Sequence, residues 1–212
     1  MRTIAFTTQK GGAGKTTLAV ALAVAATEAG EKVIALDLDP QGSLSAWGDD
    51  REAEAPAVDR IDGDKLARLP DVLKALAKGG FTLALLDCPG LAGTQVNAAI
   101  AAADLCIVPA RPTMIDLRAT KATIAALLKI DRPFAFVLNQ APATAKTTRM
   151  VEAIGAVSLL GDLADPVITQ RNDYQDAVAA GQGVTEYAPQ GKAAEEARQL
   201  WRWVDRKLKG TK

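Results

Sequence analysis

The chain contains no histidine, only two cysteines and few aromatic residues (4%), and its formal net charge is zero. Without histidine there is no imidazole general base, no Ser-His-Asp triad and no histidine-bound metal, so any chemistry falls to carboxylates, lysines and hydroxyls. Cys88 and Cys106 lie at or within apolar strand-like runs and lack metal-ligand spacing. They read as reduced core thiols of a cytosolic protein. With no net charge, attraction to nucleic acid has to come from a local patch. No apolar run reaches about 18 residues, and the first strand-like run starts at the N-terminus, which predicts neither a membrane span nor a signal peptide. What is present is 212 residues, 49% hydrophobic and 24% charged, enough for one α/β domain over residues 1–212 with a full core.

Apolar runs at Thr3–Thr7, Lys32–Leu36, Phe81–Leu86, Leu105–Val108 and Phe134–Leu138 alternate with helical patterns. This order predicts a mostly parallel, twisted sheet with helices on both faces, with ligands at the carboxyl ends of the strands. Polar clusters follow the strands at those ends. They are Gln9 to Thr17, Asp37 to Gln41, Asp87-Cys88-Pro89-Gly90, and Asn139-Gln140. The acidic stretch from Asp49 to Asp64 reads as an irregular loop.

Gln9-Lys10-Gly11-Gly12-Ala13-Gly14-Lys15-Thr16-Thr17 sits between the first apolar run and an Ala/Leu/Val-rich helical run. Strand, glycine turn and helix make a phosphate site, because glycines let the backbone wrap polyphosphate and the helix adds its N-terminal partial charge. Lys15 stands where a P-loop lysine reaches the β- and γ-phosphates, and Thr16 where a hydroxyl can ligate Mg²⁺. Gln9 replaces the glycine of the common pattern, and a second lysine, Lys10, follows it. One nucleotide held by one chain does not need both lysines. Asp87 ends an apolar run, as a Walker B aspartate that organises Mg²⁺ does. Asp37 and Asp39, two apart on an extended segment, suit a magnesium-water ligand and a residue that positions or deprotonates the attacking water.

Lys10 to Thr17 resembles the deviant Walker A box of the ParA/MinD ATPases, and Asp37-Leu38-Asp39-Pro40-Gln41-Gly42-Ser43 is similar to their switch I. Pro109 to Asp116 and Val167 to Tyr174 resemble later landmarks, so the likeness spans nearly the whole chain. Its nearest form is the small ParA type, which lacks an N-terminal DNA-binding domain. Asp87-Cys88-Pro89-Gly90 departs from the usual Asp-Thr/Ala-Pro-Pro. The resemblance implies a P-loop NTPase fold, ATP and Mg²⁺ as cofactors, and an ATP-dependent homodimer in which Lys10 crosses to the partner's nucleotide. It further implies that Asp39 activates water, that Asp37 helps organise magnesium, and that Asn139, Gln170 and Arg171 lie on the adenine side.

From Ala193 to Leu208 apolar residues recur at helical spacing, with Arg198, Arg202, Arg206 and Lys209 opposite them. Residues 192–212 hold seven basic and three acidic side chains, a surplus of four. Clustered cations on one face fit non-specific contact with a DNA backbone. A solvated face and a membrane-lying helix with Trp201 and Trp203 at the lipid boundary remain alternatives. The expected function is a partition ATPase, cytoplasmic and nucleoid-associated, that positions a DNA or protein cargo. Its hydrolysis is expected to be stimulated by a centromere-binding or cargo-adaptor protein. Competing readings are a MinD-like membrane regulator, a metabolic P-loop enzyme, and a metal-cluster carrier, for which the cysteines lack Cys-x-x-Cys spacing.

Overall fold

The computed structural model describes residues 1–143 and 148–210; Lys212, counted above among the basic residues, lies outside them. Among the described residues the chain runs β1 (Arg2–Phe6), α1 (Lys15–Glu28), β2 (Val33–Asp37), α2 (Ser43–Asp49), β3 (Ala57–Arg60), α3 (Gly63–Ala67) and α4 (Leu69–Lys78). There follow β4 (Leu83–Asp87), α5 (Thr94–Ala102), β5 (Leu105–Ala110), α6 (Met114–Ala119), α7 (Lys121–Lys129) and β6 (Phe134–Leu138). The last elements are α8 (Thr148–Ser158), β7 (Asp162–Leu163), α9 (Asn172–Ala179), α10 (Val184–Tyr187) and α11 (Lys192–Gly210).

One seven-stranded sheet has the order β3-β2-β4-β1-β5-β6-β7, and every neighbouring pair is parallel. Strands β2, β4 and β5 are buried along their whole length, which is why they read as continuous apolar runs and not as alternation. The order reverses around β1, which lies between β4 and β5, so the crevice at its carboxyl end is the place where such a sheet binds ligands.

Two strands were not visible as apolar runs. The stretch from Asp49 to Asp64, expected to be irregular, contains β3, which pairs with β2 from Ile34↔Ala57 to Asp37↔Arg60. As an edge strand it keeps Asp59 and Arg60 exposed, so it has no apolar signature. Strand β7 at the opposite edge is only two residues long.

Helix α1 is buried around most of its circumference, from Leu18 through Ala26, because the sheet covers one side and the C-terminal helices the other. The principal cover is α11, whose Ala193, Ala197, Leu200, Trp201, Val204 and Leu208 join the same core. Trp203, placed off the apolar stripe by spacing, also packs partly against that core, so the buried arc is wider than the stripe.

Candidate functional site

The phosphate cradle begins where β1 ends. Gly12 (φ 73°) and Gly14 (φ 87°) take left-handed conformations that side chains disfavour, and Gly14 leads directly into α1. Lys15 opens the helix and is 8% exposed. A Cβ built on Gly90 would lie 3.5 Å from the Lys15 ammonium, so this lysine reaches the loop after β4. Thr16 donates its hydroxyl to Asp87 Oδ2 at 2.6 Å.

Asp87 is 1% exposed, and its Oδ1 has no hydrogen-bond partner among the described residues. Burial pushes its carboxyl up to about 7 against the lowering effect of the Thr16 bond, and nearby Asp37 adds to the rise. A divalent cation beside Thr16 and Asp87 would favour the charged carboxylate, so the donor set fits Mg²⁺ with most of its shell from water and phosphate. Asp87 is not alone in lacking a partner. Thr8 Oγ1, Arg111 Nε and Asp116 Oδ1 at the rim of this loop are also buried without one, as is Thr185 Oγ1 in α10, so four of the five such atoms among the described residues gather here. Unpaired buried polar atoms concentrated in one place mark a functional site.

The extended run of β2 stops at Asp37, so strand alternation does not set the relation of Asp37 to Asp39. Asp37 is fully buried and acts as a loop organiser. Its Oδ1 accepts from the Asp39 N–H at 3.0 Å, and its Oδ2 accepts from the Ser45 N–H at 2.8 Å and the Ser45 hydroxyl at 3.0 Å. Sheet register sets it beside Asp87. Asp39 is half-buried, and Asp39, Pro40 and Gln41 line an open cleft together with Pro89, Gly90 and Leu91. The two loops thus face each other across this cleft, and the second reaches the cradle at Gly90, close to Lys15 and Gly11.

Lys10, unlike Lys15, is partly exposed and turned to Asp116. Its ammonium lies 4.0 Å from Asp116 Oδ1, and the side chain is 42% exposed. Asp116 is held in turn by the N-cap of α6, where Thr113 accepts from its N–H at 3.1 Å.

Gln170 and Arg171 line a small pocket with Thr17, Asn139, Tyr174 and Gln175, next to the start of α1. Asn139 also donates to Ala13 O at 2.8 Å. Arg171 is bound to Glu196 of α11 (2.8 Å), and the same carboxylate accepts from the Thr169 N–H at 3.2 Å. Sequence reasoning missed Glu196, and although it singled out Asn139-Gln140 and the segment holding Arg111, it gave no role to Arg111 or Gln140, which both donate to Gly12 O. No local pattern reveals those roles, since each acts on a segment distant in the chain.

The four cations of α11 are not equivalent. Arg198 donates to Glu28 (3.0 Å), Pro189 O (2.8 Å) and Thr185 O (3.3 Å), and Lys209 pairs with Asp205 on its own helix. Arg202 and Arg206 are exposed.

Residues 4–184 match the family described as "CobQ/CobB/MinD/ParA nucleotide binding domain". Over 213 residues the chain is 28% identical to "Maintenance of carboxysome distribution protein A" of Halothiobacillus neapolitanus, an alignment covering 93% of this chain and 94% of that protein. It is 32% identical over 148 residues to "Chromosome partitioning protein ParA" of Caulobacter vibrioides, covering 51% of this chain and 55% of the relative. The chain thus spans nearly all of the first relative and about half of the second. The MinC:MinD cell division complex of Aquifex aeolicus superimposes with a TM-score of 0.80 at 18% identity, over 97% of this chain and 96% of that one, a likeness of fold.

Proposed function

This chain belongs to the CobQ/CobB/MinD/ParA nucleotide-binding family, and from that premise we propose that it is an ATP-hydrolysing, dimerising switch that positions a DNA or protein cargo. Lys15 and the backbone N–H groups of the loop bind the β- and γ-phosphates. Thr16 and Asp87 hold Mg²⁺, directly or through its water, with Asp37 behind them. The ion supplies charge neutralisation on the polyphosphate. Asp39 positions the attacking water and accepts its proton.

The observation that carries this reading is the separation of the two lysines. Lys15 is sunk into its own cradle, whereas Lys10 is half-exposed and, among the described residues, held only by a long contact to Asp116. A cation so placed can reach a nucleotide in a second subunit. Around it Leu91 (77% exposed) and Ile115 (75%) present apolar surface that a second copy would cover.

The DNA reading rests on Arg202 and Arg206, which project from the outer side of α11. Two such faces brought together by ATP multiply the phosphate contacts. The membrane alternative is weakened, because Trp201, Val204 and Leu208 are already buried against the domain. The names of the relatives, which concern carboxysome distribution and chromosome partitioning, favour a positioning role; that a partner protein stimulates hydrolysis is part of the same proposal.

Fluorescence anisotropy with mixed-sequence duplex DNA tests the proposal. Binding should require ATP, should be absent with ADP, and should weaken steeply between roughly 50 and 200 mM salt as counterions are released. Failure to bind DNA with ATP at low salt would overturn the DNA-based reading, and binding to anionic liposomes instead would support the membrane one.

A further inference from the structure

Three side chains hold the outward-facing carbonyls of the phosphate loop. Gly12 O accepts from Arg111 Nη2 at 2.8 Å and from Gln140 Nε2 at 3.1 Å, and Ala13 O accepts from Asn139 Nδ2 at 2.8 Å. These donors follow β5 and β6, the nearer two of the three strands that lie to one side of β1. They therefore approach the loop together from that side.

A trans peptide is planar, so its C=O and its N–H point in opposite directions. Fixing Gly12 O outward turns the Ala13 N–H inward, and fixing Ala13 O does the same for the Gly14 N–H. From this geometry we propose that Arg111 and Gln140 are positioning residues that clamp the Gly12 carbonyl, so that the loop presents its N–H groups to a polyphosphate before nucleotide arrives. The proposal rests on the nucleotide-binding reading above.

Two further features fit a clamp and not an incidental contact. Gln140 has φ 53°, a left-handed conformation uncommon for a residue with a side chain, and its amide is tied to Gly12 O. Arg111 is bound to a neutral carbonyl, and no carboxylate pairs with it among the described residues. Among the described residues its charge is left without a paired carboxylate at the edge of the loop, and its own buried Nε has no hydrogen-bond partner. Arg111 thus contributes orientation and charge together, and Gln140 orientation alone.

The test is calorimetric titration of ADP into the full chain and into Arg111→Ala, Arg111→Lys and Gln140→Asn, with melting of each nucleotide-free protein alongside. Arg111→Ala should weaken ADP binding by about 10-fold to 100-fold, as expected for losing a hydrogen bond from a charged group. Arg111→Lys keeps a cation and a donor and should recover most of that loss. Gln140→Asn tolerates the left-handed backbone but falls short of Gly12, and should weaken binding by about 3-fold to 10-fold. Nucleotide-free melting midpoints should stay close to that of the unaltered chain. Unchanged ADP affinity in Arg111→Ala and Gln140→Asn would overturn the clamp while leaving the nucleotide site in place. Parallel loss of affinity and melting stability in all three variants would reduce these residues to a structural role. If the unaltered chain binds no ADP, the nucleotide-binding reading itself fails.

Discussion

Single atoms decide whether this loop can exist. Gly14 shows this most directly, because its φ of 87° disfavours any side chain and a Cβ there would lie 2.3 Å from Asn139 Nδ2. Gly14→Ala is expected to incur a left-handed backbone penalty of roughly 1–2 kcal/mol and to push the Asn139 amide off Ala13 O. The measurable result is at least a ~10-fold weaker affinity for ATP, with a melting midpoint lowered by several degrees. An unaltered ATP affinity in titration calorimetry would show that the loop tolerates another conformation. Gly11 is the contrasting position, since a Cβ there meets nothing within 4 Å.

At the scale of an element, α11 does two jobs on two faces. Its inner face completes the core over α1, and Leu200, at 1% exposure, lies at the middle of that contact. Its outer face carries the cations, but Arg198 is structurally committed to Glu28 and to two carbonyls near α10. Reversing Arg198 therefore mixes a lost tether with a lost phosphate contact. Arg202→Glu with Arg206→Glu separates them, because both side chains are exposed. That double variant is expected to keep its melting midpoint within a few degrees while ATP-dependent DNA binding falls by at least ~10-fold at low salt. Arg198→Glu alone should lower the midpoint, since it sets two carboxylates together where an ion pair stood. Retention of full DNA affinity by the Arg202/Arg206 variant in the anisotropy assay would move the DNA site off this helix.

For the whole molecule the question is what a second copy adds. In the proposed reading each chain supplies its own nucleotide site from Lys15, Thr16, Asp87 and Asp39, while Lys10 is half-exposed beside Asp116 and is left to serve a second copy. Lys10→Ala is thus expected to bind ATP with near-normal affinity but to remain monomeric, and to lose most of its turnover. Sedimentation velocity with a non-hydrolysable ATP analogue decides this, and a normal dimer would remove the cross-subunit role. Glu196 links the same assembly to α11, since one carboxylate on that helix holds both Thr169 N–H and Arg171 beside the small pocket.

The order of elements and the location of the site were legible in the chain itself. A buried parallel strand has to be apolar throughout, so β1, β2, β4, β5 and β6 stood out. A polyphosphate loop has to be glycine-rich between a strand and a helix, so Lys15 and Thr16 were candidates from that motif, and Asp87 from its place at the end of an apolar run. The edge strands β3 and β7 were not legible, because a strand open on one side needs no apolar run. Nor did spacing reveal that Asp37 caps its own loop, that Arg198 is a tether, or that Arg111 and Gln140 hold Gly12. Those roles join residues up to 170 positions apart, as with Arg198 and Glu28. Local pattern records which side chains must be buried and which turns must be glycine. Only the folded sheet, by bringing the ends of β5 and β6 beside the end of β1, determines which polar atoms meet there.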